Sequence, residues 1–114
     1  MQQSKHLHIL WTNADAETAQ YMVMMYATNS KLNAWWQEVT VIIWGATARL
    51  AVQDEAIRQR IQIAQQAGVK FSACVACARQ LGVDKELAQM GVEVKGWGQP
   101  LTELIQEGAP LLTL

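Results

Sequence analysis

Apolar positions recur along this chain with two different periods, and the switches between them divide it into strands and helices. Residues 6–12 place Leu7, Ile9 and Trp11 on one side of an extended segment and His6, His8 and Leu10 on the other, which predicts a strand. Thr12-Asn13 supplies a cap for a helix over residues 14–28. That helix holds the run YMVMMYA, whose apolar side chains point all the way round, as in a helix buried on more than one side. Its methionines suit a subunit interface or a ligand wall as well as core, and ordinary core is the plainer reading. Asn29-Ser30 is expected to loosen the chain. Residues 31–36 then bring the pair Trp35-Trp36, in a second helical turn or a loop, with one indole partly exposed or against a partner.

Residues 39–44, VTVIIW, are nearly continuous apolar and β-branched, which fits a central parallel strand ending at Gly45-Ala46-Thr47. A short helical turn follows over 48–52. Residues 54–67 form an amphipathic helix with Ile57, Ile61 and Ala64 on one stripe, acids in its first turn and Gly68 as its stop. Residues 69–83, VKFSACVACARQLGV, read as a buried strand that breaks off at a C-x-x-C and becomes a short helix ended by Gly82. Another short helix covers 84–90. Residues 92–95 alternate apolar and charged, as an edge strand does. Gly96-Trp97-Gly98 is a loop, 100–107 a helix with proline at its start, and 111–114 a last short strand.

Strand and helix therefore alternate about five times in a single domain spanning residues 1–114. This is the pattern of an α/β fold with a mainly parallel sheet and helices on both faces. Ligands and catalytic groups in such sheets gather at the carboxyl ends of the strands. Those ends are Asn13, Gly45-Ala46, Cys74 and Trp97.

Composition sharpens this picture in three ways. Half of the residues (51%) are apolar and only 17% are charged, against ~25% charged in average globular proteins, so either the core is large or a second copy covers part of the surface. The net charge of −1 is dispersed, with no basic stripe or polybasic patch, which argues against nucleic acid and membrane partners. The opening apolar run is too short for a secretory h-region and no stretch approaches the ~20 apolar residues that span a bilayer. A cytoplasmic protein is expected. In that reducing compartment two cysteines at this spacing are catalytic, metal-binding or inert rather than a structural disulfide.

The candidate chemistry centres on Cys74. A thiol where a strand hands over to a helix faces unpaired backbone N–H groups, which favour thiolate. Cys74 is thus a candidate nucleophile and Cys77 a second participant. Lys70 and Arg79 are nearby sources of positive charge in the sequence. Arg49, shortly after the second strand, is better placed for an anionic substrate, although such an arginine is more often a solvated surface residue. His6-x-His8 with Cys74 and Cys77 makes four nominal metal ligands. In a parallel sheet, however, a strand length of roughly 15–20 Å separates the two pairs, and no metal site is expected. No glycine-rich phosphate loop or nucleophile elbow is present, so no cofactor is expected. A C-x-x-C opening a helix is also the dithiol oxidoreductase arrangement. Here the helix after Cys77 is short and no tryptophan precedes the pair. The bland alternative is that both cysteines pack as small hydrophobes in a structural or regulatory subunit.

The pattern VTVIIWGATARLA, then GVKFSAC, LGV, GVEVKGW and EGAPLLTL resembles the DsrE/DsrF-like family of small sulfur-handling proteins, from Leu7 onward. Its most specific parts are Gly68 to Cys74 and Gly91 to Val94. The resemblance implies a flavodoxin-like three-layer α/β/α fold with a five-stranded sheet and assembly into homotrimers or homohexamers. It also implies a sulfur-relay or sulfurtransferase role in which Cys74 carries sulfane sulfur as a persulfide. The partners would be donor and acceptor proteins or small sulfane-sulfur compounds. A second cysteine at Cys77 is not part of that implied pattern.

Overall fold

The computed structural model describes residues 5–114. Strands β1 (His6–Trp11), β2 (Glu38–Ile43), β3 (Lys70–Cys74), β4 (Glu93–Lys95) and β5 (Leu111–Thr113) form one all-parallel sheet in the order β4-β3-β2-β1-β5. The helices are α1 (residues 16–32), α2 (Thr47–Gln53), α3 (Glu55–Gln66), α4 (Val75–Gln80), α5 (Asp84–Gln89) and α6 (Gly98–Glu107).

This strand order makes the three layers unequal. Parallel crossovers are right-handed, so connections that step in one direction across a sheet put their helices on one face. The connections β1 to β2, β2 to β3 and β3 to β4 all step the same way, and only β4 to β5 returns. Accordingly Ala19, Val23 and Ala27 of α1, Ala51 of α2, Ile57 and Ile61 of α3, Ala78 of α4 and Leu87 of α5 share one core with Leu7, Ile9, Val41 and Phe71. Among the described residues the opposite face of the sheet carries α6 alone, whose Leu101 and Leu104 pack on Leu10, Ile42 and Trp44. One helix cannot cover five strands, and part of that face stays open.

The predicted helices at 54–67 and 84–90 and the two edge strands appear within a residue or two of their expected limits. Asp54 caps α3 by accepting from the Ile57 N–H at 3.1 Å, and Asp15 caps α1 by accepting from the Thr18 N–H at 2.9 Å. Helix α1 departs from expectation twice. It is buried on one side only: Ala19, Val23, Met24, Ala27 and Ser30 face inward while Tyr21, Met22 and Met25 are exposed. Residues Ala19–Met24 are π-helical, and this wider turn shifts the inward set by one position, from Ala19 and Val23 to Met24 and Ala27. Nor does Asn29-Ser30 end the helix, which runs on to Leu32 with Ser30 fully buried. The chain turns at Ala34, with φ +55, and the Lys31 ammonium holds the turn by donating to the Gln37 carbonyl at 2.7 Å. Of the tryptophan pair, Trp35 is exposed and Trp36 is half-buried, its indole N–H reaching the Tyr26 hydroxyl at 3.2 Å. Among the described residues no helix is long and apolar enough to cross a membrane.

Candidate functional site

Cys74 is the last residue of β3, opposite Lys95 of β4, and its extended backbone (φ −66, ψ 118) turns directly into α4. Alternation along β3 puts Lys70, Ser72 and Cys74 on the thinly covered face of the sheet. There Cys74 joins Ile42 and Trp97 in a small second core, roofed by Leu101 and Leu104 of α6. Cys74 is therefore only 7% exposed, under a helix rather than on an open rim.

Cys77 sits one turn into α4, half-buried at the margin of the same cluster. Both cysteines are free thiols. Cys77 packs against the cluster that holds Cys74, with the Gly45 backbone N–H beside its sulfur. Burial pushes the Cys77 thiol above its ordinary range, against the opposing pull of the Gly45 N–H, and the contact with Cys74 raises it further. Gly45 has φ +70, a left-handed conformation that glycine adopts without strain. The turn it belongs to is pinned by Thr47, whose buried hydroxyl donates to the Trp11 carbonyl at 2.9 Å and accepts from the Trp44 N–H at 3.1 Å. One threonine thus ties the ends of β1 and β2 together beside the thiol pair.

Trp97 forms the boundary between the thiols and a second region. Its indole is 4% exposed and donates to Ser72 Oγ at 2.7 Å, while Ser72 also lies 3.0 Å from a Glu93 carboxylate oxygen. Lys95 Nζ stands 4.6 Å from the centre of the Trp97 ring, a cation–π contact. Beyond Trp97 the uncovered part of the sheet opens as a cleft of about 660 Å³ that includes His6, His8, Thr40, Lys70 and Glu93. His6 accepts from or donates to Thr40 Oγ1 at 2.8 Å and lies 3.3 Å from the Glu38 carboxylate, which also pairs with Lys70 at 3.6 Å. The rings of His6 and His8 stack with centres 4.0 Å apart, and His8 meets Trp97 edge-on. Burial, followed by the neighbouring His6 and Lys95, pushes the His8 imidazole down to about 4. It is neutral at pH 7.

Of the residues singled out in the sequence, Cys74, Cys77, Gly45 and Trp97 come together. Asn13 and Arg49 do not join them. Asn13 occupies an exposed turn, where its side chain accepts from the Asp15 N–H at 2.9 Å and its carbonyl accepts from the Trp11 indole at 3.0 Å. Arg49 is exposed and lines a separate recess with Ala14, Ala46, Leu50, Gln53 and Asp54. Lys70 lies at the opposite end of β3, and Arg79 is exposed in the last turn of α4. The two histidines share a sheet face with Cys74 but stand at the other end of the strands. Among the described residues no three His, Cys, Asp or Glu side chains converge as a metal site would need. The polar cleft and the Trp97–Ser72 bond escaped the sequence reading. Their signal was the alternation His6-x-His8, Glu38-x-Thr40, Lys70-x-Ser72 and Glu93-x-Lys95, a polar residue at every second position of four strands that prove to be adjacent.

The sequence profile of the DsrE/DsrF-like family matches residues 5–114. The solved structure of BT1422 from Bacteroides thetaiotaomicron, a conserved protein of unknown function, is 34% identical and superposes with a TM-score of 0.94, covering 96% of this chain and 95% of that one. The ychN protein from E. coli has the same fold, with a TM-score of 0.73 at 13% identity over 98% of this chain and 100% of its own. No curated protein matches the chain.

Proposed function

The chain belongs to the DsrE/DsrF-like family, and we propose that it works as a sulfur-relay protein that carries sulfane sulfur as a persulfide on Cys74. The observation that supports this reading is the position of Cys74 at the carboxyl end of β3, with a second free thiol packed against its cluster. Catalytic groups of parallel sheets gather at such strand ends, and only the thiolate form of a cysteine attacks sulfur.

In the forward step the Cys74 thiolate attacks the outer sulfur of a polysulfide or of a donor protein's persulfide. The donor's sulfur–sulfur bond breaks and its remaining thiolate departs, leaving Cys74–S–SH. An acceptor thiolate then attacks the outer sulfur of that persulfide and regenerates Cys74. Because Cys74 lies beneath α6, the loaded sulfur is sheltered from bulk thiols, and loading requires Trp97 or α6 to shift. A reducing cytoplasm keeps both thiols competent. Assembly into a homotrimer or homohexamer is part of the reading, supported by the exposed apolar side chains of α1.

The test is the intact mass of the reduced protein after exposure to inorganic polysulfide, with Cys74→Ser in parallel. Wild type should gain sulfur atoms that a reductant removes, and Cys74→Ser should gain none. Equal gain by both proteins would refute Cys74 as the carrier.

A further inference from the structure

Cys77 has no part in the relay just described, yet it packs against the cluster that holds the sulfur carrying the load. We propose that Cys77 is a resolving thiol that discharges an undelivered persulfide, converting its outer sulfur to hydrogen sulfide and closing a Cys74–Cys77 disulfide. This rests on Cys74 being the carrier, and it assigns the protein a second outcome, sulfane-sulfur reduction, besides transfer.

Three observations carry it. Cys74 is the extended residue that caps α4 and Cys77 is the third residue of its first turn, and a side chain at the cap folds over that turn toward its third residue, a short local shift from disulfide geometry. Both side chains belong to one buried cluster, so attack from Cys77 needs no opening to solvent, unlike attack by an external thiol. Both cysteines are free thiols, the reduced state from which the step starts.

The step balances without a further reagent. Cys77 Sγ attacks Cys74 Sγ, the inner sulfur of the persulfide. The bond from Cys74 Sγ to the outer sulfur breaks, and the outer sulfur leaves as hydrosulfide and takes up the Cys77 proton. Two electrons pass from the cysteine pair to the sulfane sulfur: Cys74–S–SH and Cys77–SH become the disulfide and one molecule of hydrogen sulfide. A dithiol reductant then restores both thiols. Burial raises the Cys77 thiol and so keeps its thiolate fraction small, which makes its attack slow. An acceptor that docks promptly is therefore served first.

The experiment loads the reduced full chain with one equivalent of glutathione persulfide and follows intact mass and free sulfide together. Cys77→Ser and Cys77→Ala are run in parallel, so that a folding defect in one is not decisive. Wild type should first gain one sulfur atom, then lose it with two hydrogens as about one equivalent of sulfide appears. Both Cys77 variants should keep the added sulfur at least ten times longer and release no sulfide. A wild-type persulfide as long-lived as that of the variants overturns the resolving role and leaves the carrier reading intact. Absence of any added sulfur in wild type and both variants overturns the carrier reading itself. A glutathione adduct trapped in the Cys77 variants, instead of one added sulfur, also overturns the proposal, because the disulfide would then form without a persulfide.

Discussion

The indole N–H of Trp97 donates to Ser72 Oγ at 2.7 Å, and Ser72 stands two residues before Cys74 on the same face of β3. The bond fixes a large ring as the partition between the sheltered thiol and the open cleft. Replacing Ser72 by alanine strands a buried donor, which costs about 1–3 kcal/mol. Trp97→Ala removes the partition outright and should cost about 3–5 kcal/mol, as large aromatic truncations do. In a Cys77→Ser background it should also speed alkylation of Cys74 by iodoacetamide at least tenfold under conditions where both proteins are folded. Unchanged alkylation would mean that access to Cys74 runs past α6 instead.

The neutral His8 predicts how stability depends on pH. Its imidazole titrates at about 4 in the folded protein, below its ordinary value of 6.5. The unfolded chain therefore binds the proton first as pH falls. The stabilisation is fully present above 6.5 and is lost progressively down to about 4. His6 is shifted in the same direction, with burial outweighing its Glu38 neighbour. Because His8 is only half-buried, solvent screening limits its share to about 1 kcal/mol. Urea titrations between these two values should show the decline, and His8→Gln should flatten it. An equally steep decline in His8→Gln would assign the effect to other groups.

Thr47 is a fold prediction with a consequence for the site. Its hydroxyl is completely buried and bridges the Trp11 carbonyl and the Trp44 N–H. Thr47→Val keeps the shape but leaves a backbone N–H and a carbonyl with one partner fewer, for an expected loss of about 1–3 kcal/mol. Since this turn presents the Gly45 N–H to Cys77, the substitution should also change the reactivity of Cys77 in a Cys74→Ser background. A stability equal to wild type would show that the direct bond from the Trp44 N–H to the Trp11 carbonyl, at 3.2 Å, satisfies both groups.

How much of this was legible in the sequence depends on whether a feature is local. The run VTVIIW and the Ile57/Ile61/Ala64 stripe are read from neighbours a few residues apart, and those elements stand where expected, whereas the cap expected at Thr12-Asn13 is supplied by Asp15. The family's α/β fold was legible as well, through the approach from Gly68 to Cys74. The unequal layers were not, because they follow from strand order, which periodicity does not encode. The cleft was missed for the same reason: Lys70, Thr40, His8 and Glu93 are far apart in the chain and become one surface only when β4, β3, β2 and β1 lie side by side. Trp97 looked like a loop residue on the rim, and burial turned it into a wall. Helix α1 misled through its composition, since Tyr21, Met22 and Met25 face outward where core was the plainer reading.

That outward apolar face makes the last prediction. Tyr21, Met25, Leu32, Trp35 and Ile63 are 44–66% exposed, and Met25 and Ile63 line one recess between α1 and α3. Methionine and aromatic residues are enriched at protein interfaces, and the sparse charge of the chain offers little to keep such a surface solvated. If copies associate through this face, light scattering after gel filtration should give wild type a mass that is a multiple of one chain. Met25→Glu combined with Ile63→Glu should bring it down to one chain with an unchanged circular dichroism spectrum, because neither side chain belongs to the buried core. A monomeric wild type would refute assembly. A double variant that still assembles would move the interface to the open sheet face, where burying Lys70, Glu38 and the two histidines between copies would make association weaken with added salt.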